Sequence, residues 1–294
     1  MLYNVRHETR FSYETPVTIS HQMLKLNPRR SNNQNVVSTR LVMHPNPSIE
    51  RSWDDYYGNR VQMVTIQQAH TELVITGESQ VEVLPGMNVM LDFSPAWEVV
   101  ARTMRSPSTT EALSASQYCF ESPFVELLPA IREFALATFT PDKPLLTAVM
   151  ELTTRIYQEF KYEGGVTDVS TPVGKVLAIR RGVCQDFAHL QIACLRSLGL
   201  PARYVSGYLL THPPAGQQKL AGADESHAWL SAWCPELGWI DFDPTNNLIP
   251  NLEHITVAWG RDYGDVSPVN GFIFGGGHHE VKVAVDVLPA VAAG

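Results

Sequence analysis

Cys184 is the residue whose surroundings best suit nucleophilic chemistry. It lies in the string RGVCQD, where a helical apolar period begins and a preceding glycine lets the chain turn sharply. A helix start presents free N–H groups and partial positive charge, which favour the thiolate, the nucleophilic form of cysteine. The same N–H groups can stabilise an oxyanion on a carbonyl that the sulfur attacks. A buried structural role is commoner for a free cysteine, so the assignment depends on further groups.

His227 is a candidate general base because of its place at the start of a predicted strand. The string ESHAWLSAW alternates in character, so His227, Trp229 and Ser231 share one face while the small and apolar residues between them face the core. An imidazole at a strand end, beside an aromatic ring, is well placed to move protons. With ten histidines in the chain, a plain surface or core role competes for any single one.

Two carboxylates follow on the next predicted strand, in the string GWIDFDPT. Asp241 and Asp243 lie on one face of this strand, and a four-residue turn joins it to the strand of His227 as a hairpin. A carboxylate that accepts from one imidazole nitrogen leaves the other nitrogen for a thiol. Periodicity leaves Asp241 and Asp243 equal, and a turn-capping role competes for either. The order Cys, His, Asp is that of papain-like enzymes.

Local elements must position these groups. The helix predicted over 184–198 ends on Gly199, with Pro201 just beyond. A strand over 202–210, a polar loop over 211–225 and the hairpin strands 227–233 and 239–243 follow. A longer helix is predicted over 145–160, a short one over 131–138, and a last strand over 280–287 after a glycine-rich loop.

The whole chain divides into three regions by pattern. Residues 1–95 alternate as short β-strands at 3–13, 36–44, 60–67 and 72–83, which predicts an N-terminal antiparallel β domain. Residues 96–144 are punctuated by proline and form a helical connector. Residues 145–294 form the catalytic core with a C-terminal β extension. The predicted class is α+β.

Composition limits the possible functions. The 294 residues carry 22 Lys and Arg against 30 Asp and Glu, a net charge of −8, which disfavours nucleic acid and anionic membranes as partners. The four cysteines are widely spaced, which argues against a disulfide framework or a zinc knuckle. The charged first residues do not resemble a signal peptide, and no apolar run is long enough to span a bilayer. We expect a cytoplasmic protein without cofactor or metal.

Three strings resemble the transglutaminase-like superfamily in its bacterial branch of transglutaminase-like or cysteine-protease-like proteins. They are RRGVCQDFAHLQIACLRSLGLPARYVSGYL, ESHAWLSAWCPELGWIDFDPTN and HITVAWGRDYGDVSPVNG. The first residues, LYNVRHETRFSYETPVTISHQMLKLNPR, resemble the extra domain that precedes the core in this branch. The resemblance implies a papain-like core, a helix packed on an antiparallel sheet. It also implies a triad of Cys184, His227 and Asp243, with Asp243 preferred over Asp241.

The superfamily shares one half-reaction, attack of a thiolate on a carbonyl to form a thioester. In animal cross-linking members an upstream tryptophan helps to stabilise the oxyanion, but here no tryptophan lies between Trp97 and Trp229. Tyr162, Gln185 and Trp229 are the candidates for the oxyanion site or cleft. Calcium sites of the animal enzymes also have no recognisable counterpart. These departures favour hydrolysis of peptide or protein amides over transfer to an amine, and a non-catalytic scaffold is the third alternative.

Three weaker motifs receive structural interpretations. Asp186 falls in the first helical turn, where a carboxylate is stabilised by the dipole, and could also contact substrate. Arg261 belongs to a string, RDY, that suits a salt-bridged loop better than a cleft wall. His278 and His279 are adjacent, so on a strand their imidazoles point to opposite faces and do not converge on one metal ion.

Overall fold

Strands account for much of the molecule. The computed structural model describes residues 1–211 and 226–290. The strands of this part of the chain are β1 (Leu2–Leu24), β2 (Gln34–His44), β3 (Ile49–Asp54), β4 (Arg60–Ile66), β5 (His70–Val83), β6 (Lys161–Tyr162), β7 (Arg181–Gly182), β8 (Ala202–Leu209), β9 (Ser226–Cys234), β10 (Gly238–Phe242), β11 (His254–Gly260), β12 (Val269–Gly275) and β13 (His279–Pro289).

Helices fill the middle of the chain and one side of the smaller sheet. They are α1 (Trp97–Arg105), α2 (Thr110–Ser116), α3 (Pro129–Leu136), α4 (Leu145–Glu159), α5 (Val173–Ile179), α6 (Cys184–Ser197) and α7 (Tyr263–Val266), with 3-10 turns at Leu91–Phe93 and Gln117–Cys119. None of the described helices is long and apolar enough to cross a membrane.

Two antiparallel sheets confirm the α+β class. The larger sheet runs β2-β5-β1-β4-β3, with β12 and β13 also paired to β1, and the smaller sheet runs β10-β9-β8-β11. Helix α6 packs against β8 and β9, and α3, α4 and α5 pack against α6. The core therefore has the predicted arrangement of a helix on an antiparallel sheet.

Strand β1 is much longer than the predicted strand over 3–13. Its first half pairs with β5 on one side and with β13 on the other. A register shift between Ser12 and Val17 bends the strand, and its second half pairs with β4 and β12. One strand thus organises the whole larger sheet.

The C-terminal strands return to this N-terminal sheet. β12 was not predicted, and both β12 and β13 pair with β1 rather than with the four-stranded core sheet. The predicted glycine-rich loop does connect them, and Gly275, Gly276 and Gly277 all have the positive φ that glycine permits. The sequence analysis assigned the C-terminal tail to the region 145–294, as a β extension of the core. In the structure this tail is part of the larger sheet.

Helix α6 follows its sequence pattern closely. It begins at Cys184 as predicted and ends one residue before the predicted bound. Gly199 has φ +77°, and the Leu200 N–H donates to the Leu195 carbonyl, which closes the end of the helix. The predicted hairpin is also present as β9 and β10. The predicted polar loop over 211–225, apart from Thr211, lies outside the described residues.

Residues of the larger sheet and its loops cover the outer edge of β11. The Gln34 amide donates to the Thr256 carbonyl at 2.7 Å and accepts from the Thr256 N–H at 2.8 Å, as a neighbouring strand would. Asn59 does the same for Trp259, at 2.8 and 3.0 Å. The guanidinium of Arg29 also lies 3.2 Å from the centre of the Trp259 ring. These contacts fix β11, an edge strand, against the N-terminal region.

Candidate active site

Cys184 is the first residue of α6 and is partly exposed as a free thiol. Asp186, two residues on, is buried and accepts from the Val183 N–H at 2.8 Å and from the Thr167 hydroxyl at 2.7 Å. Burial raises the pKa of Asp186, although both hydrogen bonds oppose that shift. This carboxylate caps the start of the helix, so its role is structural, one of the two predicted for it.

Gly182 serves the helix start by its small size. Its φ is not positive, unlike that of Gly199, so the backbone conformation alone does not require glycine at this position. A Cβ built on Gly182 would lie 2.5 Å from Oδ2 of Asp186. Glycine is needed here because β7 passes directly beside the capping carboxylate.

His227 lies in β9, opposite Gly207 of β8, and is buried. Its Nε2 donates to Oδ2 of Asp243 at 2.8 Å, which leaves Nδ1 as the free nitrogen of the ring. Burial by itself would lower the pKa of His227, but the hydrogen bonds and charges of Asp243 and Cys184 outweigh it and raise the pKa to about 10. The structure therefore joins His227 to Asp243 directly, and Cys184 is near enough to His227 to contribute to its raised pKa.

Asp243 follows β10 in a turn and has no exposed surface. Its Oδ1 accepts from the backbone N–H groups of Thr245 and Asn246, at 2.9 and 3.2 Å. Its Oδ2 accepts from His227, from the Asn246 amide at 2.8 Å and from His254 at 3.1 Å. Burial would raise the pKa of Asp243, but these donors lower it well below the ordinary value. The carboxylate is fixed and stays charged.

Asp241 has different partners, which separates the two carboxylates that periodicity left equal. Its Oδ2 accepts from the Trp229 indole N–H at 2.9 Å, and its Oδ1 accepts from the Ser231 hydroxyl. Asp241 therefore orients Trp229, and Asp243 orients His227.

His254 is a member of the site that the sequence analysis missed. It begins β11, is buried, and donates from Nε2 to the same Asp243 oxygen as His227 does. Its ring lies 5.2 Å from that of Trp229, edge to face. The string HITVAWGRDYG begins with this histidine, which is the one signal that could have drawn attention to it.

A buried phenol was also missed. Burial, followed by the charge of Cys184, raises the pKa of Tyr204 well above its ordinary value, so the phenol stays protonated. Its ring lies 4.7 Å from that of His189 in α6 and 6.4 Å from that of Tyr263. Tyr204 is thus a neutral phenol on β8, the strand that α6 covers.

The three predicted oxyanion or cleft candidates lie in different places. Tyr162 is half exposed in β6, paired with Gly182, and its ring meets Phe187 edge to face. The Gln185 amide donates to the Val169 carbonyl at 3.3 Å. Trp229 has no exposed surface and packs beneath His227, with ring centres 6.0 Å apart, so it cannot form a cleft wall.

The other cysteines are in apolar surroundings. Burial raises the pKa of Cys119 to about 12 and that of Cys234 to about 11, and it raises that of Cys194 further still. Their thiols stay protonated near neutral pH, as the structural role predicted for them requires.

The remaining motifs resolve into structural contacts. Arg261 forms the expected salt bridge, with both of its contacts to Asp265 near 3 Å. Among the described residues, the one group that could hold a metal ion is His227, Asp243 and His254, whose ligand atoms lie within 4.8 Å of one another. These atoms are already joined by hydrogen bonds, because Nε2 of His227 and Nε2 of His254 both donate to the Asp243 carboxylate.

Comparison with known proteins gives consistent matches over the chain. Residues 3–82 match the bacterial transglutaminase-like N-terminal region, and residues 132–244 match the transglutaminase-like superfamily. An uncharacterized protein of Mycobacterium tuberculosis is 40% identical over 98% of this chain and 92% of its own length. A 72-residue segment, 24% of this chain, is 40% identical to 11% of a protein-glutamine gamma-glutamyltransferase of Pseudomonas aeruginosa.

A solved structure shares the fold. It is a proposed cysteine protease from Cytophaga hutchinsonii, with a TM-score of 0.75 and 21% identity, and the match covers 99% of this chain and 92% of that one. The similarity therefore extends over both sheets and the helices between them.

Proposed function

The chain belongs to the transglutaminase-like superfamily, and from this premise we propose that it is a thiol-dependent hydrolase of amide bonds in peptides or proteins. Cys184 is the nucleophile, His227 the acid and base, and Asp243 the orienting carboxylate. The observation that carries the proposal is the buried His227, which donates to the charged carboxylate of Asp243 and whose pKa is raised first by Asp243 and then by Cys184.

Acylation begins from a thiolate and an imidazolium. Asp243, and after it Cys184, raise the pKa of His227, so the ring is charged at neutral pH. A helix start and a nearby imidazolium both favour the thiolate form of a cysteine. The thiolate attacks the amide carbonyl, and free N–H groups of the first turn of α6 face the developing oxyanion. The imidazolium then gives its proton to the leaving amine, and a thioester remains on Cys184.

Deacylation uses the same groups in reverse. Neutral His227 takes a proton from water as the water oxygen attacks the thioester; the C–S bond breaks, the acid product leaves, and the thiolate and imidazolium are restored. Asp243 keeps Nε2 of His227 protonated in this step, so Nδ1 is the nitrogen free to accept.

Acyl transfer to an amine is the second candidate. It uses the same thioester, with a primary amine in place of water. The segment that resembles the Pseudomonas gamma-glutamyltransferase is the specific observation in its favour. The two reactions differ only in the second nucleophile.

Mass spectrometry of a defined peptide mixture, incubated with and without a primary amine, tests the proposal. Hydrolysis gives cleaved or deamidated peptides in both samples, whereas transfer gives amine adducts. Cys184→Ala must abolish all products, and Cys119→Ala, which removes a cysteine of raised pKa, must keep them. Products that persist in a folded Cys184→Ala protein would overturn Cys184 as the nucleophile. No products from the parent over a broad peptide set would favour a non-catalytic scaffold.

A further inference from the structure

Asn246 lies against the hydrogen bond between His227 and Asp243. Its amide Nδ2 donates to Oδ2 of Asp243 at 2.8 Å and lies 3.3 Å from Nε2 of His227. Both nitrogens therefore approach the same carboxylate oxygen, and the amide is in contact with both ends of the bond. The reversed amide would place its Oδ1 against that oxygen, with two acceptors in contact, so the donating orientation is the favourable one.

The other neighbours of this bond are buried. His254 donates to the same oxygen at 3.1 Å and is buried, and Trp229, which packs beneath His227, has no exposed surface. His227 and Asp243 are buried as well, whereas Asn246 is exposed. Among the described side chains that donate to Oδ2 of Asp243, Asn246 is therefore the one that faces solvent.

The loop that carries Asn246 is held at three points. Oδ1 of Asp243 accepts from the backbone N–H of Asn246 at 3.2 Å, and the N–H of Asp243 donates to the Leu248 carbonyl at 2.9 Å. Asn247 has φ +53°, a conformation that asparagine tolerates, and its Oδ1 accepts from the Thr154 hydroxyl of α4 at 2.8 Å. The position of the Asn246 amide is thus fixed by its own loop and by a neighbouring helix.

We propose that Asn246 is a positioning residue that shields the His227–Asp243 hydrogen bond from water. Water at this bond would raise the local dielectric and weaken the attraction between the imidazolium and the carboxylate. The ring would then be held less firmly in the orientation that turns Nδ1 away from Asp243. The inference rests on the proposed function, because the bond matters for turnover only if His227 moves protons.

A neutral amide suits this position better than an apolar or a charged side chain. The Asp243 carboxylate is charged, so an apolar cover would leave its Oδ2 with one donor fewer. A lysine or arginine would bring a second cation beside the imidazolium and would disfavour the charged ring. The amide covers the bond and donates to the carboxylate without adding charge.

Exchange of the Nε2–H proton of His227 with water tests the shield without any substrate. In protein with isotope-labelled histidine, His227→Gln identifies the NMR signal of this proton by its loss. Asn246→Ala, which opens the position, should speed the exchange about tenfold or more. Asn246→Leu keeps a side chain of similar size without the donor and should exchange close to the parent rate. Asn251→Ala, at an exposed position farther along the chain, is the matched control and should behave as the parent does.

A second variant tests the support of the loop. Thr154→Val removes the hydroxyl that donates to Asn247 but leaves Asn246 in place, so its exchange should be faster than in the parent and slower than in Asn246→Ala. Cooperative melting near the parent temperature shows that each variant folds. The inference is overturned if the parent gives no slowly exchanging Nε2–H signal, if Asn246→Ala exchanges as the parent does, or if Asn246→Leu exchanges as fast as Asn246→Ala.

Turnover separates this inference from the proposed function. On an accepted peptide, Asn246→Ala should lower kcat about 10- to 100-fold with little change in KM, and Asn246→Leu should recover part of the loss. The alkaline limb of its kcat profile should move to lower pH, because a hydrated carboxylate supports the imidazolium less. Full activity in Asn246→Ala would overturn the positioning role. A parent that exchanges slowly but forms no products would support the shield and overturn the proposed function instead.

Discussion

At the scale of single residues, Asp243 and Asp241 differ in what they hold. Asp243 orients the imidazole, whereas Asp241 accepts from Trp229 and Ser231. We therefore expect Asp243→Asn to lower kcat far more than Asp241→Asn, by up to roughly 10⁴-fold. Steady-state rates on any accepted peptide, for variants that melt cooperatively, measure this. If Asp241→Asn is the more damaging, the orienting role belongs to the Trp229 side of the site.

Selective alkylation should distinguish Cys184 from the other three cysteines. A thiol with the pKa of Cys234, about 11, is ionised to about one part in 10⁴ at pH 7, and only the thiolate reacts. Peptide mapping after brief iodoacetamide treatment at pH 7 should find label at Cys184 first, and His227→Gln should slow that labelling. Equal, slow labelling of all four cysteines would contradict a thiolate–imidazolium pair.

His254 should act as a positioning residue through Asp243. Its Nε2–H holds the carboxylate oxygen that also receives the proton of His227. We expect His254→Phe to lower kcat about 10- to 100-fold with little change in KM, as removal of outer-shell partners does elsewhere. His254→Gln retains an N–H donor at a similar reach and should recover part of that loss. If the two variants are equally impaired, or only their melting temperatures change, the contact to Asp243 is merely structural.

At the scale of elements, the start of α6 depends on the close approach of β7. Gly182→Ala would place a Cβ 2.5 Å from the Asp186 carboxylate and 2.9 Å from its Cβ, so the first turn carrying Cys184 must shift. We expect a loss of about 1–3 kcal/mol in the free energy of unfolding and a larger loss of turnover. Gly164→Ala is the control, because nothing lies within 4 Å of its added Cβ. Urea unfolding and rates of both variants provide the measurement, and equal behaviour would contradict the close approach.

Local sequence patterns predicted the helix and the hairpin that carry the triad. The groups that support the triad were missed because they depend on pairing between strands that are distant in sequence. Cys184, His227 and Asp243 lie on a helix and a hairpin whose apolar periods are complete within a few residues. His254 reaches Asp243 only because β11 pairs with β8, about 45 residues earlier in the chain. Strand β12 was missed because its partner in β1 lies some 250 residues away and glycines interrupt its own pattern.

At the scale of the whole molecule, the N-terminal sheet supports the active site through β11. Gln34 and Asn59 pair with the outer edge of this strand, and its first residue is His254. Strands β12 and β13 also pair with β1, so both ends of the chain contribute to the larger sheet. The position of a group that contacts the triad carboxylate is therefore set partly by residues outside the catalytic core.

His7 should make the junction between the sheets sensitive to acid. It lies in β1, buried, and hydrogen-bonds to Tyr208 of β8 at 3.0 Å and to Thr9 at 3.1 Å. Burial lowers the pKa of His7 to about 4, against about 6.5 in an unfolded chain. The unfolded chain therefore takes up the proton first as the pH falls, and stability is lost between about pH 6.5 and 4.

Urea unfolding at pH 7.5 and 4.5 measures this effect. Between those values the parent should lose roughly 2 kcal/mol through His7. His7→Gln should be less stable at pH 7.5, because it gives up the contacts with Tyr208 and Thr9, but its loss on acidification should be smaller by that amount. His189 is also buried and its pKa is lowered to about 3, so some acid sensitivity remains in the variant. The exposed His44→Gln should follow the parent at both pH values. Parallel losses in His7→Gln and the parent would mean that the acid-sensitive group lies away from the junction of the two sheets.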